Sequence, residues 1–168
     1  LAIELMKDRG VEHIGVLGLS MGGLISLKVA GKRDEIESMV LIAPLSDGIS
    51  GYRERFDNEK IERMKEEGFF VITRDQPENR YIIPKQLIEN KENLNQDDLL
   101  EGVNCPVLFI HGTEDTGVPI EFSERAAEKL DDSSLRKIKD DHYWEDSVEE
   151  VSKSAEEWFK KNMPVSDN

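Results

Sequence analysis

The chain has 168 residues, enough for one domain with a sizeable hydrophobic core. Its 22 basic and 36 acidic residues give a formal net charge of −14 at pH 7, which argues against nucleic acids and anionic membrane surfaces as partners, because both are negative. No apolar run approaches the roughly 20 residues that span a bilayer, and the single cysteine, Cys105, excludes an internal disulfide.

The chain begins with a predicted helix and a strand that runs into a glycine-rich turn. Residues 1–9 have the apolar spacing of an amphipathic helix, and Gly10 marks its end. The apolar residues 13–19 predict a strand, and Gly18-Leu19-Ser20-Met21-Gly22 leads from it into a helical pattern. Strand, sharp turn and helix with a serine at the apex indicate a nucleophile elbow. We expect Gly18 and Gly22 to leave the space in which strand and helix backbones approach.

A dinucleotide-binding turn is the nearest alternative to the elbow. It requires the pattern Gly-x-Gly-x-x-Gly after a strand. Here Leu17 stands two residues after Gly15, and Ser20 stands two residues after Gly18, so the pattern is not met.

The next elements predict a parallel sheet interrupted by an insertion. Residues 24–32 read as a helix and residues 37–44 as a buried strand, and this order implies a right-handed crossover. Residues 45–103 hold short helical and apolar pieces, and they are too many for an ordinary connection. We therefore predict a single domain over residues 1–168 with a small helical lid insertion over residues 45–103.

The remaining elements continue the alternation of strands and helices. Residues 106–110 and 135–138 are predicted strands, and residues 120–130 and 148–162 are predicted helices, the last one amphipathic.

Three residues with catalytic potential follow predicted strands. Ser20, Asp115 and His142 each lie just after a strand, where loops gather at the carboxyl end of a parallel sheet. A serine hydroxyl needs a base, and the base needs an orienting carboxylate. His13 lies at the opposite end of the elbow strand, so His142 is the better base. Asp140 and Asp141 beside it are expected in a solvated turn.

These features resemble the α/β-hydrolase family. The elbow, the order Ser, Asp, His, and the segment His-Gly-x-x-Asp-x-x-Val-Pro that begins at His111 carry the resemblance. It implies a parallel-sheet, three-layer fold and selects Asp115 rather than Glu114 as the acid, with His111 as a structural partner. It also implies that the backbone N–H of Met21 binds the oxyanion.

Within that family the chain looks most like small carboxylesterases of the cinnamoyl/feruloyl-esterase and monoacylglycerol-lipase-like kind. The expected function is hydrolysis of a small-molecule carboxylic ester, without a cofactor or metal, in the cytoplasm. A serine peptidase or thioesterase on the same scaffold is the alternative. The insertion would then cover the serine, with Phe69, Phe70, Tyr81 and Ile82 either lining an acyl pocket or only packing the lid.

The resemblance covers only the C-terminal part of the family fold. The earlier strands and the loop that carries the second oxyanion donor have no counterpart, and the first residue is Leu1 rather than Met. The elbow strand should therefore form an open apolar edge, which favours pairing with another strand. We expect either a missing N-terminal segment that pairs there or a homo-oligomer, and an inactive, self-associating fragment is a further alternative.

Overall fold

The computed structural model describes residues 2–47, 58–73 and 80–164. The described helices are α1 (Ala2–Asp8), α2 (Met21–Ala30), α3 (Asn58–Glu67), α4 (Lys85–Glu92), α5 (Gln96–Leu100), α6 (Glu121–Lys129) and α7 (Val148–Asn162). The described strands are β1 (Ile14–Leu19), β2 (Ile36–Ile42), β3 (Phe69–Thr73), β4 (Arg80–Pro84), β5 (Val107–Gly112) and β6 (Ser133–Ile138). These elements form two compact units, one from residues 1–46 and 96–168 and the other from residues 47–95.

The first unit is built on a four-stranded parallel sheet in the order β1-β2-β5-β6. All three strand pairs are parallel, as the strand–helix–strand pattern predicted. Among the described strands, β1 therefore lies at one edge of this sheet, which is the position expected for the elbow strand.

Helices cover both faces of the sheet and give three layers. Side chains alternate along each strand, so that Met39 and Leu41 of β2 face one side while Val40 and Ile42 face the other. The first side packs against α2, α5 and α6, and the second packs against α7 through Val151, Ala155 and Trp158. Because both faces are buried, residues 39–42 of β2 and residues 107–110 of β5 are continuously apolar.

The second unit contains a two-stranded antiparallel sheet as well as helices. Strands β3 and β4 pair from Phe69 opposite Pro84 to Thr73 opposite Arg80, and α3 and α4 flank them in the sequence. The sequence predicted a helical insertion, and the structure adds the pair of strands β3 and β4 to its helices. The unit, Asp47–Asn95, is also narrower than the predicted range of 45–103, because Leu99 and Leu100 of α5 are buried in the first unit.

The two residues at which the chain leaves the first unit and re-enters it, Ser46 and Gln96, lie next to each other. Ser46 and Gln96, which flank the second unit in sequence, are both buried. The Gln96 Nε2 donates to Ser46 Oγ at 2.9 Å and to the Phe122 carbonyl of α6 at 2.8 Å. The Ser46 hydroxyl donates to the same carbonyl at 3.4 Å. We call these three residues the clasp.

No helix within the described ranges is long and apolar enough to cross a membrane.

Candidate active site

Ser20 occupies a strained turn between β1 and α2. Its φ is 53° and its ψ is −114°, a conformation that costs a non-glycine residue about 1–3 kcal/mol. Backbone hydrogen bonds hold it there: its N–H donates to the Ile42 carbonyl at 2.8 Å, and its carbonyl accepts from Leu45 and Leu24 at 3.1 and 3.3 Å. The serine hydroxyl makes no helix-capping bond, so it is left available at the carboxyl end of the sheet.

Space for a Cβ is lacking at Gly18 and Gly23, and the backbone that approaches Gly18 is that of Gly22, whose carbonyl oxygen would lie 2.7 Å from such a Cβ. A Cβ at Gly18 would lie 2.6 Å from Ser26 Oγ, and a Cβ at Gly23 would lie 2.6 Å from Pro44 Cβ. A Cβ at Gly22 would meet no described atom within 4 Å. The expectation was correct for Gly18 and wrong for Gly22, because the helix turns Gly22 outward and Gly23 toward the end of β2.

The structure brings Ser20, His142 and Asp115 together. His142 Nε2 lies 3.2 Å from Ser20 Oγ, and His142 Nδ1 lies 2.7 Å from Asp115 Oδ2. The three residues follow β1, β6 and β5 respectively, so the parallel sheet places all of them at its carboxyl edge. Since a carboxylate only accepts, the Nδ1 of His142 carries a proton, and in the neutral ring Nε2 accepts from Ser20.

The Asp115 side chain is fully buried, and hydrogen bonds favour its ionised form. Its Oδ1 accepts from the backbone N–H groups of Gly117 and Val118 at 2.6 and 2.8 Å, while its Oδ2 faces His142. Burial by itself raises the pKa of Asp115, but the hydrogen bonds from His142, Val118 and Gly117 outweigh it and hold the pKa below its ordinary value. The Asp115 carboxylate is therefore ionised at neutral and weakly acidic pH.

The other two histidines lie outside this constellation. His13 pairs with Glu37 at 3.0 Å near the start of β1, the end of the strand remote from Ser20. His111 is fully buried, with Nδ1 at 2.7 Å from Ser123 Oγ and Nε2 at 3.0 Å from the Val118 carbonyl. His111 thus contacts Val118 in the acid loop and Ser123 on α6.

The loop that carries His142 packs directly on the acid loop. The Asp140 carbonyl accepts from the Glu114 N–H at 3.0 Å, and a Cβ at Gly112 would lie only 2.4 Å from that carbonyl oxygen. Asp140 itself is buried, so its expected place in a solvated turn was wrong, whereas Asp141 is exposed as expected. The Asp140 carboxylate accepts from the Asp141 N–H at 2.7 Å, which compensates part of its burial.

The remaining predicted site residues are only partly described. Met21 begins α2 directly after Ser20 and is 38% exposed. Phe69, Tyr81 and Ile82 are exposed side chains of the second unit, and the side chain of Phe70 lies outside the described residues. No group of three or more metal-binding side chains occurs in the part of the chain that the structure describes.

Comparisons with known proteins support this architecture. The sequence profile of the prolyl oligopeptidase family, Peptidase_S9, matches residues 5–161. A search of curated proteins finds no match.

Solved structures share the fold at low sequence identity. Est1E from Butyrivibrio proteoclasticus, solved with ferulic acid bound, has a TM-score of 0.75 and 22% identity, over 96% of this chain and 66% of that one. Monoacylglycerol lipase of Paleococcus ferrophilus has a TM-score of 0.71 and 21% identity, over 96% and 73%. Mouse alpha/beta hydrolase domain-containing protein 10 has a TM-score of 0.72 and 20% identity, over 95% and 67%.

The chain spans 66% of the length of Est1E, just under two thirds. Its parallel sheet with flanking helices is the α/β-hydrolase fold of these structures. With a profile match over residues 5–161, the chain belongs to the prolyl oligopeptidase family.

Proposed function

We propose that the chain carries the catalytic triad of a serine hydrolase that transfers acyl groups to water. The observation that supports this most directly is the position of His142, which reaches Ser20 Oγ with one ring nitrogen and Asp115 with the other. A neutral imidazole in this orientation is a base for the serine hydroxyl and an acid for a leaving group.

The reaction proceeds in two steps. Ser20 Oγ attacks the acyl carbon while His142 Nε2 takes its proton, and His142 then gives that proton to the departing alcohol. A water molecule, deprotonated by His142, attacks the acyl-enzyme and releases the acid, and the proton returns to Ser20. Asp115 fixes the tautomer of His142 and stabilises the positive charge that forms on the ring.

The negative charge on the acyl oxygen requires its own donors. Met21 N–H, the first of α2, is the donor proposed here, because it directly follows the nucleophile at the positive end of a helix. A single donor lost from such a site reduces the rate by about 100- to 1,000-fold, so a second donor has a large effect on turnover.

A small-molecule carboxylic ester is the favoured substrate class. It is supported by the fold shared with Est1E, whose structure contains ferulic acid, and with a monoacylglycerol lipase. A peptide bond is the second candidate, supported by the match to the prolyl oligopeptidase family. The two candidates share the acyl-enzyme chemistry and differ in the leaving group.

We further propose that the insertion works as a lid that selects the acyl group, with Phe69, Phe70, Tyr81 and Ile82 as its substrate-contacting residues. Exposed apolar side chains at Phe69, Tyr81 and Ile82 support this role, since each leaves apolar area available for a ligand.

Labelling with a fluorophosphonate tests the triad. We expect the probe to modify Ser20 in the wild-type chain, as located by mass mapping, and to leave Ser20→Ala and His142→Ala unlabelled. Ser154→Ala, which removes a buried serine of α7, is the matched control and should label normally. Labelling at another serine, or labelling that survives in His142→Ala at the wild-type rate, contradicts the proposal.

Aryl esters and aminoacyl amides of matched size then separate the two substrate classes. Preferential turnover of the esters supports the first candidate, and preferential turnover of the amides supports the second.

A further inference from the structure

Both ring nitrogens of His111 are engaged beneath the acid loop. The Val118 carbonyl lies 3.0 Å from Nε2 and can only accept, so Nε2 carries a proton. Ser123 Oγ of α6 lies 2.7 Å from Nδ1. In a neutral ring Nδ1 has a lone pair, and Ser123 is then the donor. The Val118 contact thus specifies the tautomer of a neutral His111, and the Ser123 hydroxyl is compatible with it.

The His111 ring has a strong reason to remain neutral. Its side chain is fully buried, and burial lowers the pKa of His111 below its ordinary value, although the Val118 carbonyl and Asp115 act in the opposite direction. In the neutral ring the Ser123 hydroxyl donates to the Nδ1 lone pair and holds the ring in place.

Val118 joins His111 to the catalytic carboxylate. Its carbonyl accepts from His111, while its N–H donates to Asp115 Oδ1 at 2.8 Å. By binding the Val118 carbonyl, His111 therefore fixes the residue whose N–H donates to Asp115. His111 Nε2 also lies 3.6 Å from Asp115 Oδ2, the oxygen that orients His142. A charged His111 would attract this oxygen and compete with His142 for it.

We propose that Ser123 is a positioning residue of the triad, which acts through the neutral His111 and the Val118 carbonyl to fix the Asp115 carboxylate toward His142. Ser123 is fully buried on α6, and His111 lies in the buried strand β5, one residue before its end, so both partners stand on regular secondary structure. Outer partners of this kind keep a ligand or catalytic group in its working orientation, and their loss typically reduces function by about 10- to 100-fold. The proposal rests on the proposed catalytic roles of Ser20, Asp115 and His142.

Other titratable groups lie around His111 and enter the test. Asp115 and His142 face it from the two loops, and Glu121 lies at the start of α6. Lys137 of β6 is its backbone neighbour in the sheet and is paired with Glu124 at 2.5 Å. The variants below leave all of these groups in place.

Histidine NMR tests the proposal independently of turnover, because the chain has three histidines. In the wild-type chain labelled with ¹⁵N-histidine, we expect His111 to be neutral at pH 7, with its proton on Nε2, and its pKa to lie below the ordinary histidine value. A His111 that is protonated on Nδ1, or that titrates near the ordinary histidine value of about 6.5, overturns the proposal without any variant.

Ser123→Ala provides the second arm of the test. We expect the His111 Nδ1 resonance to lose its hydrogen-bond shift and the His142 Nδ1 proton, bonded to Asp115, to exchange faster with water. The second-order rate constant for fluorophosphonate labelling should fall by about tenfold. Ser123→Cys is close to isosteric and serves as the test variant if Ser123→Ala does not fold. Its labelling rate constant should lie between those of the wild type and Ser123→Ala.

Ser154→Ala is the matched control, since Ser154 is an equally buried serine bonded within α7. If Ser123→Ala and Ser154→Ala lose similar stability but neither changes the His142 proton, Ser123 is merely structural and the proposal is wrong. Normal histidine spectra with no labelling of wild-type Ser20 would contradict the proposed function and leave the positioning of Asp115 intact.

Discussion

Asp115 shows how single hydrogen bonds determine the chemistry of one residue. Three donors hold its two oxygens: the His142 ring and the N–H groups of Gly117 and Val118. Burial opposes the charge on this carboxylate and the three donors favour it, and the donors prevail, because its pKa is lowered. A group whose pKa is lower in the folded chain than in the unfolded chain stabilises the fold most when it is ionised.

The lowered pKa of Asp115 predicts how the stability of the chain depends on pH in acid. The contribution of Asp115 should be present in full above the unfolded carboxyl pKa of about 3.9, and should be lost as the pH falls through the lower folded value. In Asp115→Asn the free energy of unfolding should therefore decrease less steeply with acidification than in the wild type. Urea unfolding at several pH values between 3 and 7 measures the difference.

Asp98→Asn is the control, because it removes an exposed carboxylate and gives the same net charge. Equal pH dependence in the wild-type and Asp115→Asn chains would show that the three donors do not stabilise the ionised form.

The juxtaposition of Ser20, Asp115 and His142 follows from sequence because it depends only on topology. Each residue comes after a strand of one parallel sheet, and the carboxyl ends of such strands share an edge. The burial of Asp140 and the contact of Ser123 with His111 were not predictable in this way. They depend on how two loops and α6 pack, and no local pattern in the sequence encodes that packing. The catalytic roles themselves stay a prediction.

At the scale of the elements, the junction of β1, α2 and β2 leaves the least room for side chains. Gly23 lies on the face of α2 that meets Pro44, directly after β2, while the adjacent Gly22 faces away. The elbow therefore depends on one of two neighbouring glycines that look equivalent in the sequence.

Alanine should destabilise the chain at Gly23 but not at Gly22. In Gly23→Ala the new Cβ would lie 2.6 Å from Pro44 Cβ and 2.9 Å from its Cα, so we expect a loss of about 1–3 kcal/mol. Gly22→Ala should be neutral or stabilise the chain by up to about 1 kcal/mol, because alanine favours the helix. Urea midpoints of the two variants measure this, and a Gly22→Ala chain less stable than Gly23→Ala would refute the packing.

The pairing of β3 with β4 was not predictable from the sequence. Its segments are rich in aromatic and β-branched residues, which favours strands. Their antiparallel pairing depends on register, and two five-residue segments do not specify a register by themselves. The strands of the main sheet were predictable because β2 and β5 are long, apolar and buried on both faces.

At the scale of the whole molecule, the open edge of the main sheet is the most consequential feature. Strand β1 pairs only with β2 among the described strands, and Leu17 and Leu19 on it are 53% and 47% exposed. Unpaired backbone groups beside exposed apolar side chains favour pairing with another strand. The net charge of −14 opposes self-association at neutral pH, and this repulsion weakens near the pI of about 4.7.

We predict that this edge causes concentration-dependent association of the 19.2 kDa chain. Leu17→Lys places a charge on β1 and should shift the association to higher concentration. Ile25→Lys removes an equally exposed apolar residue, 56% against 53%, from α2 and should leave the association unchanged. Light scattering after size exclusion, over a range of concentrations, measures the mass. A constant mass of one chain would rule out pairing at this edge.

The clasp has a consequence for how this protein can diversify. Because Ser46 and Gln96 meet at the Phe122 carbonyl, the ends of the intervening segment are already side by side. A segment whose ends are held in this way can change in length at little entropic cost, since closing the loop is achieved by the residues that flank it. We therefore expect Asp47–Asn95 to tolerate a change in length while the clasp and the unit that contains Ser20, Asp115 and His142 are retained.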